Sequence, residues 1–311
     1  MQIQSLSLVV PTHNKCVNSC KFCVSRTHTN PYDDRINSIS YSYKDQKYRD
    51  MKYDDLTYIE QPYIDYFNRL QFARDNGCNV IVLTGTGEPI QNPKFLKFFS
   101  YINSTLKTPF KCIEMQTTGV MLTTDDEYES RKKLDELRRL GITTISFSIS
   151  NIFDNDRNLE LIGCDEKLKF NVFDVIKKVK QLDFNVRLSL NLIKDYDDYD
   201  VFEVINRCNE LGADQITFRK LYKSELNNDI DKWIESNSST LFYDKLVEYV
   251  KLHTKLGILP FGPEIYNVKE MSVVIDTDCM NEEVKDTYKY LILRENCKLY
   301  NRWETKASLI F

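Results

Sequence analysis

The sequence predicts an α/β fold built on a parallel sheet, and three observations carry that reading. Six strand-like runs alternate with six helix-like runs between residues 6 and 255. The helical runs repeat apolar residues at three and four, as in Leu134, Leu137 and Leu140, or Val172, Val175, Ile176 and Val179. Several close on pairs such as Asn76-Gly77, Leu140-Gly141, Leu211-Gly212 and Leu256-Gly257, where a helix is expected to stop. Repetition of this kind favours a parallel sheet covered by helices, curled into a barrel or doubly wound.

In chain order, strands are expected over 6–10, 79–84, 111–116, 143–149, 185–192 and 214–222, all mostly β-branched or aliphatic. Helices are expected over 58–76, 93–104, 126–140, 171–182, 199–211 and 240–255, with Pro93 suited to a first helical turn. The stretch 27–55 is polar, rich in Tyr, Asp and Lys, and has no period; a long functional loop is expected there. Beyond Phe261 the rhythm changes. Residues 273–275 and 290–294 read as strands, and 299–303 as a hairpin partner returning across 295–298. Residues 1–222 are thus expected to form the core, and 223–311 the last covering helix and a C-terminal extension packed on it.

Composition narrows the function. The 311 residues carry 42 Lys+Arg against 46 Asp+Glu, a net charge of −4, with 42% hydrophobic and 28% charged residues. That balance is ordinary for a soluble globular chain. It lacks the global positive charge of a nucleic-acid binder, so nucleic acid is not expected as a partner. Nine glycines and eight prolines exclude collagen-like and flexible-linker designs. No run approaches the roughly 18–20 apolar residues of a membrane span, and the start lacks the basic region of a signal peptide. A cytoplasmic location is expected, with no membrane partner. In that reducing compartment the nine cysteines are not expected to pair as disulfides. Cys78, Cys112, Cys164, Cys208, Cys279 and Cys297 are scattered and read as small hydrophobes. Cys16, Cys20 and Cys23 are not scattered.

These three lie in a loop directly after the first strand, spaced x3 and x2. Three thiolates so close in sequence can converge on one soft metal centre. A structural zinc with His13 or His28 as fourth ligand is the competing reading, but structural zinc usually uses two CxxC-like pairs and no second pair exists here. A cluster with three protein ligands is favoured, and it leaves one iron open for chemistry.

Cys-x3-Cys-x2-Cys with Phe22 before the last cysteine resembles the signature of the radical S-adenosylmethionine (radical SAM) superfamily. The resemblance implies a [4Fe-4S] cluster on Cys16, Cys20 and Cys23, its fourth iron chelated by SAM. It implies reductive cleavage of SAM to a 5′-deoxyadenosyl radical that abstracts hydrogen from substrate, with a flavodoxin- or ferredoxin-type electron donor. Thr84-Gly85-Thr86-Gly87-Glu88-Pro89, ending the second strand, resembles the family's Gly-Gly-Glu-Pro turn that binds the SAM amino group, with Thr86 in place of its first glycine. Thr117, Ser148 and Ser150 at the next two strand ends resemble polar positions that contact SAM in enzymes similar to the molybdenum-cofactor cyclase. Arg187, Ser189 and Asn191 alternate on the fifth strand and so share a face, where relatives approach the SAM carboxylate and ribose.

Every one of these positions is expected at or just after the C-terminal end of a strand, the face where barrel enzymes build their sites. The expected fold is therefore a partial (β/α)6 barrel, open on one side, with a short C-terminal α/β appendage. Arg219 and Lys220, ending the sixth strand, are candidates for an anionic substrate, a small molecule or nucleotide. RNA or peptide modification is the alternative within the family. The absence of a basic appended domain counts against the first, and a barrel that starts almost at Met1 counts against the second. A non-catalytic iron–sulfur or zinc sensor is the alternative outside it, and such a sensor needs no Gly87-Glu88-Pro89 turn.

Overall fold

The computed structural model describes residues 2–12, 16–27, 60–224, 226–259, 262–276 and 286–311. The 28–55 part of the expected loop, His13, His28 and Cys279 lie outside the described residues. The first half runs β1 (Gln2–Val9), α1 (Val24–Thr27), α2 (Glu60–Asp75), β2 (Val80–Thr84), α3 (Pro93–Thr105), β3 (Cys112–Thr117), α4 (Glu127–Arg139) and β4 (Thr144–Ile149). Then come α5 (Asn155–Ile162), α6 (Val172–Gln181), β5 (Asn185–Asn191), α7 (Val201–Glu210), β6 (Gln215–Arg219), α8 (Asp229–Asn237) and α9 (Leu241–Lys251). The chain closes with β7 (Thr254–Ile258), β8 (Glu264–Val268), β9 (Met271–Asp276), β10 (Thr287–Leu293) and β11 (Leu299–Tyr300).

The six expected strands and six expected helices all form, with ends shifted by a few residues. Asx residues start the helices. Asp126, Asp154 and Asp200 each accept a backbone N–H of the first turn, and Asn171 accepts two. Each such cap is worth about 1 kcal/mol over alanine. The expected helix over 240–255 is the exception. It stops at Lys251, because Thr254 to Ile258 pair antiparallel with β8, and Gly257 sits at an irregularity of that ladder rather than at a helix end. Helices α1, α5 and α8, all short, and strands β7 and β8 are not among the expected elements.

All eleven strands belong to one sheet, ordered β11-β10-β1-β2-β3-β4-β5-β6-β9-β8-β7. The strands from β10 to β9 in that order are mutually parallel, whereas β11, β8 and β7 attach antiparallel. The C-terminal segment therefore does more than pack on the barrel. It lends a strand to each edge, β9 beside β6 and β10 beside β1. The sheet does not close by hydrogen bonds. Instead Lys289 of β10 and Asp276 of β9 meet across the gap in an ion pair of 2.9 Å, both side chains about nine-tenths buried.

Outside the sheet, helices bury an apolar layer in which Tyr66, Phe95 and Phe98 contact one another edge-on or tilted. Each such ring contributes about 1.5–3 kcal/mol through burial. Among the described residues no helix is long and apolar enough to cross a membrane.

Candidate functional site

The cysteine loop leaves β1 at the C-terminal end of the parallel strands. Its backbone is tied to the far side of the barrel: the Ser19 and Lys21 N–H groups donate to the Ile162 and Leu161 carbonyls at the end of α5, both at 3.0 Å. Gly163, which ends α5 at φ +59°, lies so near that a Cβ there would stand 2.2 Å from Ser19 Oγ. Lys21 also pairs with Glu160 at 2.9 Å. Cys16, Cys20 and Cys23 are free thiols, all partly accessible. Burial pushes the Cys20 thiol well up, and the neighbouring Cys23, Glu88 and Cys16 charges push it further. Burial likewise raises Cys16, with Glu88 and Cys23 adding to it. The three sulfurs thus sense one another. Cys16 and Cys20 so placed do not ionise readily alone, and a bound metal centre would hold them as thiolates.

Among the described residues no three His, Cys, Asp or Glu side chains close on a single ion. One zinc ion needs every sulfur within about 2.3 Å of itself. In a cluster each thiolate takes its own iron, and three cysteines from one short loop could supply three of them.

Beside the loop stands the turn after β2. Gly87 has no room for a side chain, since a Cβ would meet Thr12 Cγ2 at 2.9 Å. Thr86 Oγ1 reaches Thr12 Oγ1 at 3.4 Å. Pro89 opens a short 3-10 turn through Gln91. Glu88 is buried, and its carboxylate faces protein on both oxygens. Oε2 accepts from Thr117 Oγ1 at 2.6 Å. Oε1 accepts from Thr118 Oγ1 at 2.7 Å, Thr118 N at 3.0 Å and Asn18 Nδ2 at 3.2 Å. Burial raises the Glu88 carboxyl, opposed by these hydrogen bonds.

At the neighbouring strand ends, Asn191 Nδ2 donates to Ser148 Oγ at 3.1 Å and lies 3.4 Å from Ser150 Oγ. Ser189 sits beside Ser148 in the β4–β5 register. Phe22 is buried and its ring lies 6.1 Å from that of Trp233 on α8.

Below the loop the barrel encloses a chamber of about 520 Å³, within the range of small-molecule sites. Thr86 and Ser25 line its mouth, and Ser25 Oγ is 3.0 Å from Cys23 Sγ. Among the described residues six charged side chains line it: Arg187, Arg219, Lys289 and Arg294 against Glu114 and Asp276. Arg187 belongs to the lower half, four residues before Asn191 or about 13 Å along the strand. Its guanidinium is held by Glu114 Oε2 at 2.5 Å and Gln215 Oε1 at 2.6 and 2.8 Å. Arg219 differs, for its buried Nε has no hydrogen-bond partner among the described residues. Lys220 points elsewhere: it is exposed, with Nζ 3.5 Å from the centre of the Tyr243 ring on α9.

The family description of the radical SAM superfamily matches residues 10–208, well over half of the chain. The chain belongs to the radical SAM superfamily. Members of this superfamily are enzymes that use a [4Fe-4S] cluster and SAM, the cofactors for which the three thiols are suited. The chain is 24% identical over 188 residues to GTP 3′,8-cyclase of Aquifex aeolicus (strain VF5), covering 60% of this chain and 53% of that protein. It thus spans about half the length of that relative. In fold it is similar to Streptococcus suis SuiB bound to S-adenosylmethionine, with TM-score 0.56 and 13% identity over 96% of this chain and 60% of SuiB. Native anSMEcpe with bound AdoMet is similar too, with TM-score 0.55 and 12% identity over 97% of this chain and 75% of that one.

For this radical SAM protein, sequence reasoning missed Asn18, Gln91, Gly163, Trp233 and the chamber residues of the C-terminal strands. Asn18 and Gln91 had a signal, lying inside or beside the two motifs. The others had none in the local sequence.

Proposed function

We propose that this chain cleaves SAM reductively and directs the resulting radical at an anionic small molecule or nucleotide in the barrel chamber. Bound at Cys16, Cys20 and Cys23, the cluster would supply the electron for SAM cleavage, drawn from a flavodoxin- or ferredoxin-type donor, and the 5′-deoxyadenosyl radical would take hydrogen from substrate. The chain's own residues supply the rest. Gly87 allows the turn after β2 to approach the loop, and Thr86, Thr117, Ser148, Ser150, Ser189 and Asn191 offer polar groups at the same face. Phe22, held against Trp233, offers an aromatic wall beside the last cysteine.

One observation carries the substrate class: Arg219 lines the chamber with a buried Nε that no group among the described residues satisfies. Leaving a buried polar donor unpaired costs about 1–3 kcal/mol, more when charged, and an anionic ligand recovers it. Among the described lining residues, Arg187 pairs with Glu114 and Lys289 with Asp276, so the surplus contributed by Arg219 and Arg294 is positive. A sensor has no use for such a chamber beneath its metal site.

The test is anaerobic reconstitution with iron and sulfide, reduction, and addition of SAM. The reading requires a [4Fe-4S] EPR signal altered by SAM, and 5′-deoxyadenosine in the product. The Cys16→Ala, Cys20→Ala and Cys23→Ala triple variant should lose both. A wild-type protein that binds zinc tightly and forms no 5′-deoxyadenosine would overturn it.

A further inference from the structure

We infer that Glu88 and Gln91 form a two-point clamp that sets the cysteine loop for the cluster, Glu88 acting through Asn18 rather than by contact with SAM. The inference rests on the reading of Cys16, Cys20 and Cys23 as cluster ligands.

Both clamp residues come from the turn after β2, and both reach the loop between the first two cysteines. Gln91 Oε1 accepts from the Val17 N–H at 3.4 Å, and from the Glu88 N–H at 3.1 Å. Glu88 Oε1 accepts from Asn18 Nδ2 at 3.2 Å. The orientation of Asn18 follows from the donors around it. Thr118 spends its hydroxyl proton on Glu88 Oε1 at 2.7 Å, so Thr118 Oγ1 is left to accept from Asn18 Nδ2 at 2.9 Å. The amide nitrogen therefore faces the carboxylate and Thr118, and the Asn18 side chain has one setting. Fixing Asn18 fixes its backbone N–H, which points at Cys16 Sγ at 3.4 Å.

Glu88 is poorly placed for a ligand's ammonium. It is 4% exposed, and Oε1 already receives three donors. The buried charge is compensated by Thr117, Thr118 and Asn18, which tie β2, β3 and the loop into one unit. The turn thereby couples the strand ends to the cysteine backbone, and backbone N–H groups aimed at thiolates are among the features that tune iron–sulfur centres.

The experiment compares Asn18→Ala, Glu88→Gln, Gln91→Ala and the Asn18→Ala/Glu88→Gln double variant with wild type, each as the anaerobically reconstituted full chain. Iron loss to a chelator is followed without SAM, then the EPR spectrum of the reduced cluster, SAM affinity per cluster, and the thermal midpoint of the metal-free protein. The clamp predicts iron loss at least about tenfold faster in Asn18→Ala and Glu88→Gln, the order expected for hydrogen bonds to a charged group. The double variant should lose iron no faster than the faster single one, and Gln91→Ala should show a smaller change of the same kind. SAM affinity per intact cluster should stay near wild type, and iron loss is compared at a temperature well below the metal-free midpoint of every variant, so that a general loss of stability is not read as loss of the clamp. Glu88→Gln that retains iron and its EPR spectrum while losing SAM affinity overturns the clamp and makes Glu88 a SAM contact. Additive iron loss in the double variant overturns the route through Asn18. A wild-type chain that assembles no cluster defeats the underlying site assignment instead.

Discussion

Lys289 and Asp276 join the two ends of the parallel run, β10 and β9, through an ion pair of 2.9 Å where no backbone ladder exists. A side-chain pair thus spans the opening of a partial barrel. Both groups are about nine-tenths buried, and the Asp276 carboxylate faces the Lys289 ammonium. Removing one partner of a buried pair costs about 3–5 kcal/mol, because the survivor remains charged without compensation. Lys289→Met should therefore lower the unfolding free energy by about 3 kcal/mol, and Lys289→Met with Asp276→Leu by much less. Chemical denaturation of the metal-free protein checks this, and equal losses in both variants would mean the seam is held otherwise.

Arg219 and Lys220 are neighbours in sequence on opposite sides of the sheet. Arg219 lines the chamber, while Lys220 lies over Tyr243 outside it. Arg219→Ala should reduce the stimulation of 5′-deoxyadenosine formation by the anion-exchange-retained fraction of a metabolite extract by about ten- to a hundredfold, as for a charge-assisted hydrogen bond. Lys220→Ala should leave that stimulation within a factor of two, by the weakness of exposed contacts at roughly 0.2–1 kcal/mol. Stimulation carried by the neutral fraction, unaffected by Arg219→Ala, would remove the anionic substrate.

Gly163 ends α5 at φ +59°, and a Cβ there would press on Ser19 Oγ at 2.2 Å and Ser19 O at 2.9 Å. The left-handed conformation alone costs a non-glycine residue about 1–2 kcal/mol. Ser19 must then shift, and with it the cysteine loop. Gly163→Ala should speed chelator removal of iron severalfold, whereas Gly163→Ala with Ser19→Gly should recover part of it. Iron retention at the wild-type rate would show that the loop is anchored elsewhere.

Asp231 on α8 is fully buried and organises the segment after β6. It accepts from Ser224 N at 2.7 Å, Ser224 Oγ at 2.6 Å and Asn228 N at 3.1 Å. Burial alone would raise its carboxyl, yet these hydrogen bonds outweigh it and hold the group below its ordinary 3.8. The unfolded chain therefore takes up this proton at higher pH than the folded chain. The stabilisation is present above about pH 4 and is lost as pH falls through the folded value. Trp233, two residues on, reports it: in a Trp303→Phe background its fluorescence should change as pH drops below 4. Asp231→Asn should lack that acid step, and a step that persists belongs to another group.

Much of this protein was legible in the sequence because it is local. The x3 and x2 spacing of Cys16, Cys20 and Cys23, the Gly87-Glu88-Pro89 turn, and the alternation of six strands with six helices depend on neighbours within a few residues, where periodicity, capping and turn chemistry act. Alternation on a strand even separated Arg219 from Lys220, but it names two faces without saying which is inside. That choice came from the curl of the sheet, as did the fate of Glu88, whose partners Thr117, Thr118 and Asn18 arrive from other elements. Of the C-terminal strands, β9, β10 and β11 were recognised as strands and β7 and β8 were not, and nothing local assigns β9 to one edge and β10 to the other. Edge pairing and the Lys289–Asp276 closure are decided by which backbone groups remain unpaired once the six-stranded core has formed, and only the tertiary structure settles that.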